Sequence, residues 1–148
     1  YINIMNPKIW GPHAWIFLHS ITFNYPNNPS NEVKKQYKIF FESLQFVLPC
    51  DVCKSNYKKK LITLKINEEI LSCRKNLIKW LIQIHNQVNK SNNKRIMSND
   101  EVLKYYVDLY DNKPINLIKN TFSITPNLIA IFSTIIIALY FIKKKYLL

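Results

Sequence analysis

Two cysteines separated by two residues form the clearest chemical pattern in this 148-residue sequence. Cys50 and Cys53 stand in the run Pro49-Cys50-Asp51-Val52-Cys53, where the proline is expected to end one helix and let the next begin at Cys50. With two residues between them, the sulfurs come within bonding reach on one turn. A helix N-terminus favours the thiolate and so lowers the pKa of a cysteine placed there. The pair could therefore work as a redox disulfide.

The same pair could instead supply half of a zinc site. Zinc needs four ligands, and Cys73 with a histidine such as His85 would complete the set at the spacing C-x2-C-x19-C-x11-H. This spacing does not match a common zinc-finger pattern. A thioredoxin-type CxxC motif requires a strand–helix–strand context, which this sequence does not show. A membrane-tethered zinc-binding adaptor that uses Cys50, Cys53, Cys73 and His85 is therefore the first alternative function.

The composition excludes several classes of nucleotide-binding protein. The sequence holds one glycine, Gly11, whereas a dinucleotide fingerprint needs three and a Walker A loop needs two. The net charge is +12, but the lysines scatter over several elements and form no RNP-like or arginine-rich motif. We therefore predict a charged, solvated surface that an acidic membrane or an anionic cofactor could use, and no nucleic-acid partner. A basic membrane-anchored module that binds nucleic acid or lipid is the second alternative.

Apolar residues recur at helical spacing through the first 110 residues, without convincing strand alternation. They predict an all-α domain at 1–110, a four-helix bundle with a short fifth helix. The expected boundaries are Gly11-Pro12 and Tyr25-Pro26 for the first helix, Ser30 and Pro49 for the second, Cys50 and about Lys60 for the third, Asn92-Asn93 for the end of the fourth, and Ser98 or Asn99 for the start of the fifth.

The C-terminal part reads as a membrane anchor. Residues 122–142 carry no charge over 21 positions, which in a helix spans roughly the 30 Å of a bilayer core. A linker at 111–121 precedes this segment, and a basic tail at 143–148 follows it. A buried C-terminal helix is the alternative. We expect a single-pass tail anchor that inserts after synthesis and leaves the domain in the cytosol, on a virion or host membrane.

Four short motifs occur in a characteristic order: WGPHAWIFLH at 10–19, YP at 25–26, PCDVC at 49–53, and WLIQIHNQVN at 80–89 with Lys94 five residues later. Together they resemble the Erv/ALR family of flavin-linked sulfhydryl oxidases, over residues 10–106. A minimal domain with a membrane anchor looks most like the versions carried by large DNA viruses.

The resemblance implies a four-helix bundle that binds FAD non-covalently and forms a homodimer. It implies that a thiol-containing protein substrate, or a thioredoxin-like carrier, reduces the Cys50–Cys53 disulfide, and that electrons pass through FAD to O₂ and yield hydrogen peroxide. Cys50 would be the exposed interchange thiol and Cys53 the flavin-proximal one. The implied cofactor-binding residues are Gly11, Pro12, Trp15, His19, Tyr25, His85, Asn86, Val88, Asn89, Lys94 and Tyr106.

The types of several of these residues suit such a site. Trp15 and His19, like His85 and Asn89, stand four apart on one helix face, so flat rings could sandwich adenine or isoalloxazine while amides meet ring nitrogens. Taken alone, His85 would more commonly be a core histidine, and for Trp80 the core is the better interpretation.

Two positions depart from the family pattern. Tyr106 stands where a tryptophan is frequent. The second disulfide of many members is absent, because Asn99 occupies the expected partner position and leaves Cys73 unpaired. We expect Cys73 to be a plain buried thiol, and the alternatives are a shuttle cysteine or an intermolecular disulfide.

Overall fold

The structure, a computed structural model, describes residues 5–111. Over this range its regular secondary structure is all helical, as predicted, and contains no strand. The linker after residue 111, the anchor predicted at 122–142 and the basic tail lie outside the described residues. Between residues 5 and 111, none of the helices has the length and apolar character that a bilayer crossing requires. The elements are α1 (Pro7–Phe23), α2 (Asn31–Val47), α3 (Asp51–Thr63), a 3₁₀ turn (Ile70–Ser72), α4 (Arg74–Ser91) and α5 (Asn99–Tyr110).

The first helix starts earlier than predicted. Asn6 caps α1 by accepting a hydrogen bond from the backbone N–H of Lys8 at 2.9 Å, and Pro7 takes the first helical position. Gly11 and Pro12 therefore lie inside α1 rather than at its start. The prediction placed Pro12 in the first turn because proline costs little there, but Pro7 already occupies that place.

Most of the other helix ends follow the predicted caps, although α3 runs to Thr63, past its expected end near Lys60. The Ser30 side chain accepts from the backbone of α2, and Cys50 occupies the N-cap position of α3. Asn92 is the C-cap of α4. At the start of α5, Ser98 and Glu101 each accept a hydrogen bond from the other's backbone N–H, at 3.2 and 2.8 Å. This is a capping box, so Ser98 rather than Asn99 caps the helix.

The described residues up to Tyr105 form one compact unit, and a second unit begins at Tyr106 within α5. In the first unit α1 packs on α4, α2 packs on α3, and α3 also contacts α4. Trp80 is buried in the core, as predicted, where it meets Phe41 edge to face. The buried apolar cluster consists of Leu18, Tyr25, Phe41, Leu44, Tyr57, Ile66, Leu71, Leu77, Trp80, Leu81 and Ile84.

Two contacts fix the directions of α1 and α4. At one end of the pair, the Arg74 side chain donates to the backbone carbonyl of Tyr25. Further along, His19 on α1 is hydrogen-bonded to His85 on α4. Because the end of α1 meets the start of α4, the two helices are antiparallel.

The α3–α4 pair is antiparallel for the same reason. Trp80 donates from its indole nitrogen to the carbonyl of Leu64, just beyond α3, at 2.8 Å. One turn earlier on α3, the Lys60 ammonium donates to the hydroxyl of Ser91 at the end of α4, at 3.3 Å. The start of α3 therefore points toward the end of the bundle at which α4 finishes.

Candidate functional site

Trp15 and His85 form a stacked ring pair between α1 and α4. Their ring centroids are 3.9 Å apart and their planes differ by 8°. Both side chains are half-buried. Rings this close leave no room for a third ring between them. A flat ligand would have to lie on an outer face of the stack or along its edge.

His19 lies behind this stack and is joined to it by a hydrogen bond. Its Nε2 atom is 3.2 Å from Nδ1 of His85, and His19 is fully buried. Burial, and then the neighbouring His85, lowers the pKa of His19 to about 3. Burial, and then the charge of Lys94, lowers the pKa of His85 to about 4. Near neutral pH both rings are therefore uncharged, and one nitrogen of the pair donates to the other.

The turn after α4 places Lys94 beside His85. Asn93 adopts φ 53°, a left-handed conformation that asparagine tolerates. The backbone N–H of Asn93 donates to the carbonyl of Lys90, and that of Lys94 donates to the carbonyl of Asn89, at 3.2 and 2.8 Å. These two bonds make a Schellman motif, which reverses the chain at the end of the helix. This motif thus sets the direction in which the chain leaves α4 and so the position of Lys94.

Asn86 holds the chain that returns along α4. Its side-chain amide donates to the carbonyl of Met97 at 2.8 Å, and its oxygen accepts from the N–H of Met97 at 3.1 Å. Val88 and Asn89 are half-buried on the same helix. With both ends of its amide bonded to the backbone of Met97, Asn86 positions the loop that carries Lys94.

Gly11 lies one helical turn before Trp15 and two turns before His19, so the three residues share one face of α1. A Cβ atom added at Gly11 would meet no atom within 4 Å. Side chains on a helix lean toward its N-terminus, so the Trp15 ring leans toward Gly11. The space next to the Gly11 backbone, on the face of α1 that carries Trp15, is therefore open. Pro12, the next residue, is exposed.

The two cysteines of the CxxC motif form a disulfide, with Cα atoms 5.1 Å apart. Cys50 caps α3, and its sulfur accepts a hydrogen bond from the N–H of Cys53 at 3.2 Å. Cys53, Tyr57 and Lys60 fall on one stripe of α3, and Tyr57 and Lys60 are buried. Cys53 therefore lies on the inner side of the helix, while Cys50 lies at its end.

The described residues do not assemble the zinc site of the alternative prediction. They contain no group of three or more histidine, cysteine or acidic side chains that could hold a metal ion. Cys50 and Cys53 are bonded to each other, and His85 is engaged with Trp15 and His19. Cys73 is half-buried at the N-cap of α4, so the expectation of a plain buried thiol is also wrong.

Both tyrosines that the resemblance implies for the cofactor site are buried. Tyr25 is fully enclosed, and its hydroxyl donates to the carbonyl of Leu71 at 2.8 Å, so it ties the end of α1 to the 3₁₀ turn. Tyr106 lies on α5, in the second unit, and is also buried. Sequence reasoning missed Lys60, a buried cation. Its position seven residues after Cys53, on the same face of α3, is the signal that could have found it.

Comparison with known proteins gives consistent results. The family model described as the Erv1/Alr family matches residues 12–107. A probable FAD-linked sulfhydryl oxidase of Acanthamoeba polyphaga mimivirus is 41% identical over 100 residues, which cover 68% of this chain and 70% of that protein. An FAD-linked sulfhydryl oxidase of African swine fever virus is 30% identical over 116 residues, covering 74% and 87%.

The yeast relative shares the fold as well as the sequence pattern. The mitochondrial FAD-linked sulfhydryl oxidase of Saccharomyces cerevisiae is 30% identical over 80 residues, 54% of this chain and 41% of that protein, so the chain spans less than half of its length. The crystal structure of the FAD binding domain of yeast Erv1 matches with a TM-score of 0.64 at 26% identity. That match covers 70% of this chain and 96% of the domain.

Proposed function

The chain belongs to the Erv1/Alr family, and we propose that it is an FAD-linked sulfhydryl oxidase that forms disulfides in protein substrates. The observation that carries this proposal is the Cys50–Cys53 disulfide at the start of α3, directed toward the end of the bundle where α4 finishes. The related proteins of mimivirus and yeast bear the same activity in their names.

The disulfide exchange is arranged by the start of α3. A substrate thiolate attacks the sulfur of Cys50, the Cys50–Cys53 bond breaks, and Cys53 leaves as a thiolate. A second substrate thiol then displaces Cys50, so the substrate gains a disulfide and the cysteine pair holds the two electrons and two protons. The N–H of Cys53, which donates to the Cys50 sulfur, and the helix N-terminus both stabilise the Cys50 thiolate that departs.

The residues around the Trp15–His85 stack fit a flavin nucleotide. The stack offers aromatic faces, Asn89 offers an amide, and Lys94 offers a positive charge for a pyrophosphate. The open space at Gly11 lets a ligand approach Trp15 without a glycine-rich loop. Bound FAD would supply the two-electron chemistry that takes electrons from the cysteine pair to O₂ and yields hydrogen peroxide. Cys53 holds the inner sulfur of the pair and is the one we assign to this transfer.

A homodimer belongs to the same proposal. Ile9 and Phe17 are 68% and 60% exposed, and with His13 they form a stripe on the face of α1 opposite Gly11 and Trp15. Large apolar side chains in such a stripe favour burial against a second copy. Light scattering of the purified protein should give twice the mass of one chain, and Phe17→Glu should give the monomer.

Membrane attachment is proposed from sequence alone. The uncharged segment 122–142 is long enough to span a bilayer as a helix, and three lysines follow it. The full chain should remain with membranes after alkaline carbonate extraction, whereas a chain cut after residue 111 should not. Protease added to intact membranes digests the CxxC domain if that domain faces the cytosol.

The proposed activity has a direct test on the full chain in detergent. The purified protein should absorb near about 450 nm, the flavin band, and should consume O₂ when dithiothreitol is added. Hydrogen peroxide should accumulate in proportion to the thiol that is oxidised. A flavin-loaded protein that leaves dithiothreitol reduced would overturn the proposal.

A further inference from the structure

A groove between α2 and α3 combines an apolar floor with a basic rim. We call it the α2–α3 groove. The floor is formed by side chains of α3 and of the residues just after it, and the rim carries lysines from both sides. The floor residues are Leu61, Ile62 and Ile66, and the rim lysines are Lys38, Lys58 and Lys65.

The rim is positively charged. Glu42 is the one acidic side chain among the residues that line the groove, so the local balance is three positive charges against one negative. In the part of the chain that the structure describes, the ion pairs join other residues, and none of the three rim lysines takes part in one. The rim lysines can therefore form ion pairs with a ligand without first breaking an ion pair inside the protein.

The groove and the disulfide both involve α3. The helices α2 and α3 are joined by a short turn that contains Pro49 and ends at Cys50. Lys58 lies eight residues after Cys50, whose sulfur the substrate attacks, which at 1.5 Å per residue is about 12 Å along the helix axis. About four residues of extended chain cover that axial distance. A peptide held in the groove can thus present its own cysteine to the disulfide.

We propose that the α2–α3 groove binds an acidic segment of the protein substrate, a few residues from the cysteines that become oxidised. This inference rests on the proposed oxidase function and names the substrate class. Carboxylates of the segment would meet Lys38, Lys58 and Lys65, and an apolar side chain would pack on the floor. Charge complementarity of this kind raises the rate of encounter and orients the partner.

The chemistry of the groove favours a peptide over a nucleic acid or a lipid headgroup. No aromatic side chain lines it, so it offers no platform on which bases could stack. The apolar floor formed by Leu61 and Ile66 suits a side chain of a peptide.

The test compares two dithiol peptides as substrates of the full-length protein. The peptides share one sequence with two cysteines and differ only in a flank of glutamates or of glutamines. The groove variant is Lys38→Glu with Lys58→Glu and Lys65→Glu. The matched control is Lys35→Glu with Lys59→Glu and Lys79→Glu, which changes the net charge equally at exposed positions outside the groove.

We expect kcat/KM for the acidic peptide to exceed that for the neutral peptide at least about tenfold at low salt. The preference should shrink at high salt because exposed charges are screened. The groove variant should lose the preference, the control should retain it, and both should oxidise dithiothreitol at the rate of the unmodified protein.

Three results would overturn the groove assignment. The first is no preference between the peptides while dithiothreitol is oxidised. The second is equal loss of preference in the control, which would make net charge responsible. The third is displacement of the acidic peptide from the rim lysines by a short RNA or by phosphatidylserine vesicles at lower concentration. Failure to oxidise dithiothreitol would instead overturn the oxidase function itself.

Discussion

His19 Nε2 and His85 Nδ1 lie 3.2 Å apart and join the middle of α1 to α4. A hydrogen bond between two imidazoles requires that at least one of them accept, and an imidazolium has no acceptor nitrogen. The pair is therefore compatible with two neutral rings, and protonation of both would break it. Because Trp15 stacks on His85, the same bond also fixes the ring pair that we assign to the flavin site.

Acid should destabilise the fold through these histidines. In the unfolded chain each takes up a proton near pH 6.5, whereas in the folded chain burial lowers the pKa of His19 to about 3 and that of His85 to about 4. Between these limits the unfolded state binds more protons. The free energy of unfolding should therefore fall as pH drops below 6.5, by up to about 1.4 kcal/mol per pH unit for each histidine, and should be constant above it as far as this pair is concerned.

Urea denaturation at several pH values between 4.5 and 7.5 measures this slope. His85→Gln removes one of the two titrating groups and should make the slope shallower. Gln83→Ala, at an exposed position of α4, is the control and should leave it unchanged. An identical slope for His85→Gln and the unmodified protein would contradict the shifted pKa of His85.

Substitution of either redox cysteine should abolish thiol oxidation. The described residues hold one disulfide, and no second CxxC exists in the sequence to replace it. Cys53→Ser should nevertheless retain FAD, because the proposed flavin contacts lie on α1 and α4. Cys73→Ser is the control and should remain active. O₂ uptake with dithiothreitol and absorbance near about 450 nm give the two readouts. Full activity in Cys50→Ser or Cys53→Ser would refute the assignment of the redox centre.

Loss of the α4 side chains should weaken flavin binding. His85→Ala removes one ring of the stack, and Asn89→Ala removes the neighbouring amide. A tenfold weaker Kd corresponds to about 1.4 kcal/mol, and because FAD binds only the folded state, the Tm should fall with it. Gln83→Ala changes an exposed residue of the same helix and serves as the control. If FAD titration gives an unchanged Kd for both site variants, neither residue belongs to the site.

Local signals predicted most of the helix boundaries because a cap depends on residues only a few positions away. Ser30, Cys50 and Ser98 lie where their neighbours in the sequence place them. The roles of Tyr25 and Asn86 could not be predicted in this way. Their partners, the backbone groups of Leu71 and Met97, are set by how distant segments pack, and a motif shows the residue type without the partner.

Gly11→Ala should change stability and flavin binding in opposite directions. Glycine inside a helix costs up to about 1 kcal/mol relative to alanine, and the added Cβ would meet nothing within 4 Å. Protein stripped of FAD should therefore become more resistant to urea. A ligand lying against Trp15 at this position would meet the new methyl group, so the Kd for FAD should rise. Asn56→Ala, at an exposed position of α3, should give a comparable gain in helix stability without affecting FAD. A stabilised Gly11→Ala protein with an unchanged Kd would remove Gly11 from the flavin site.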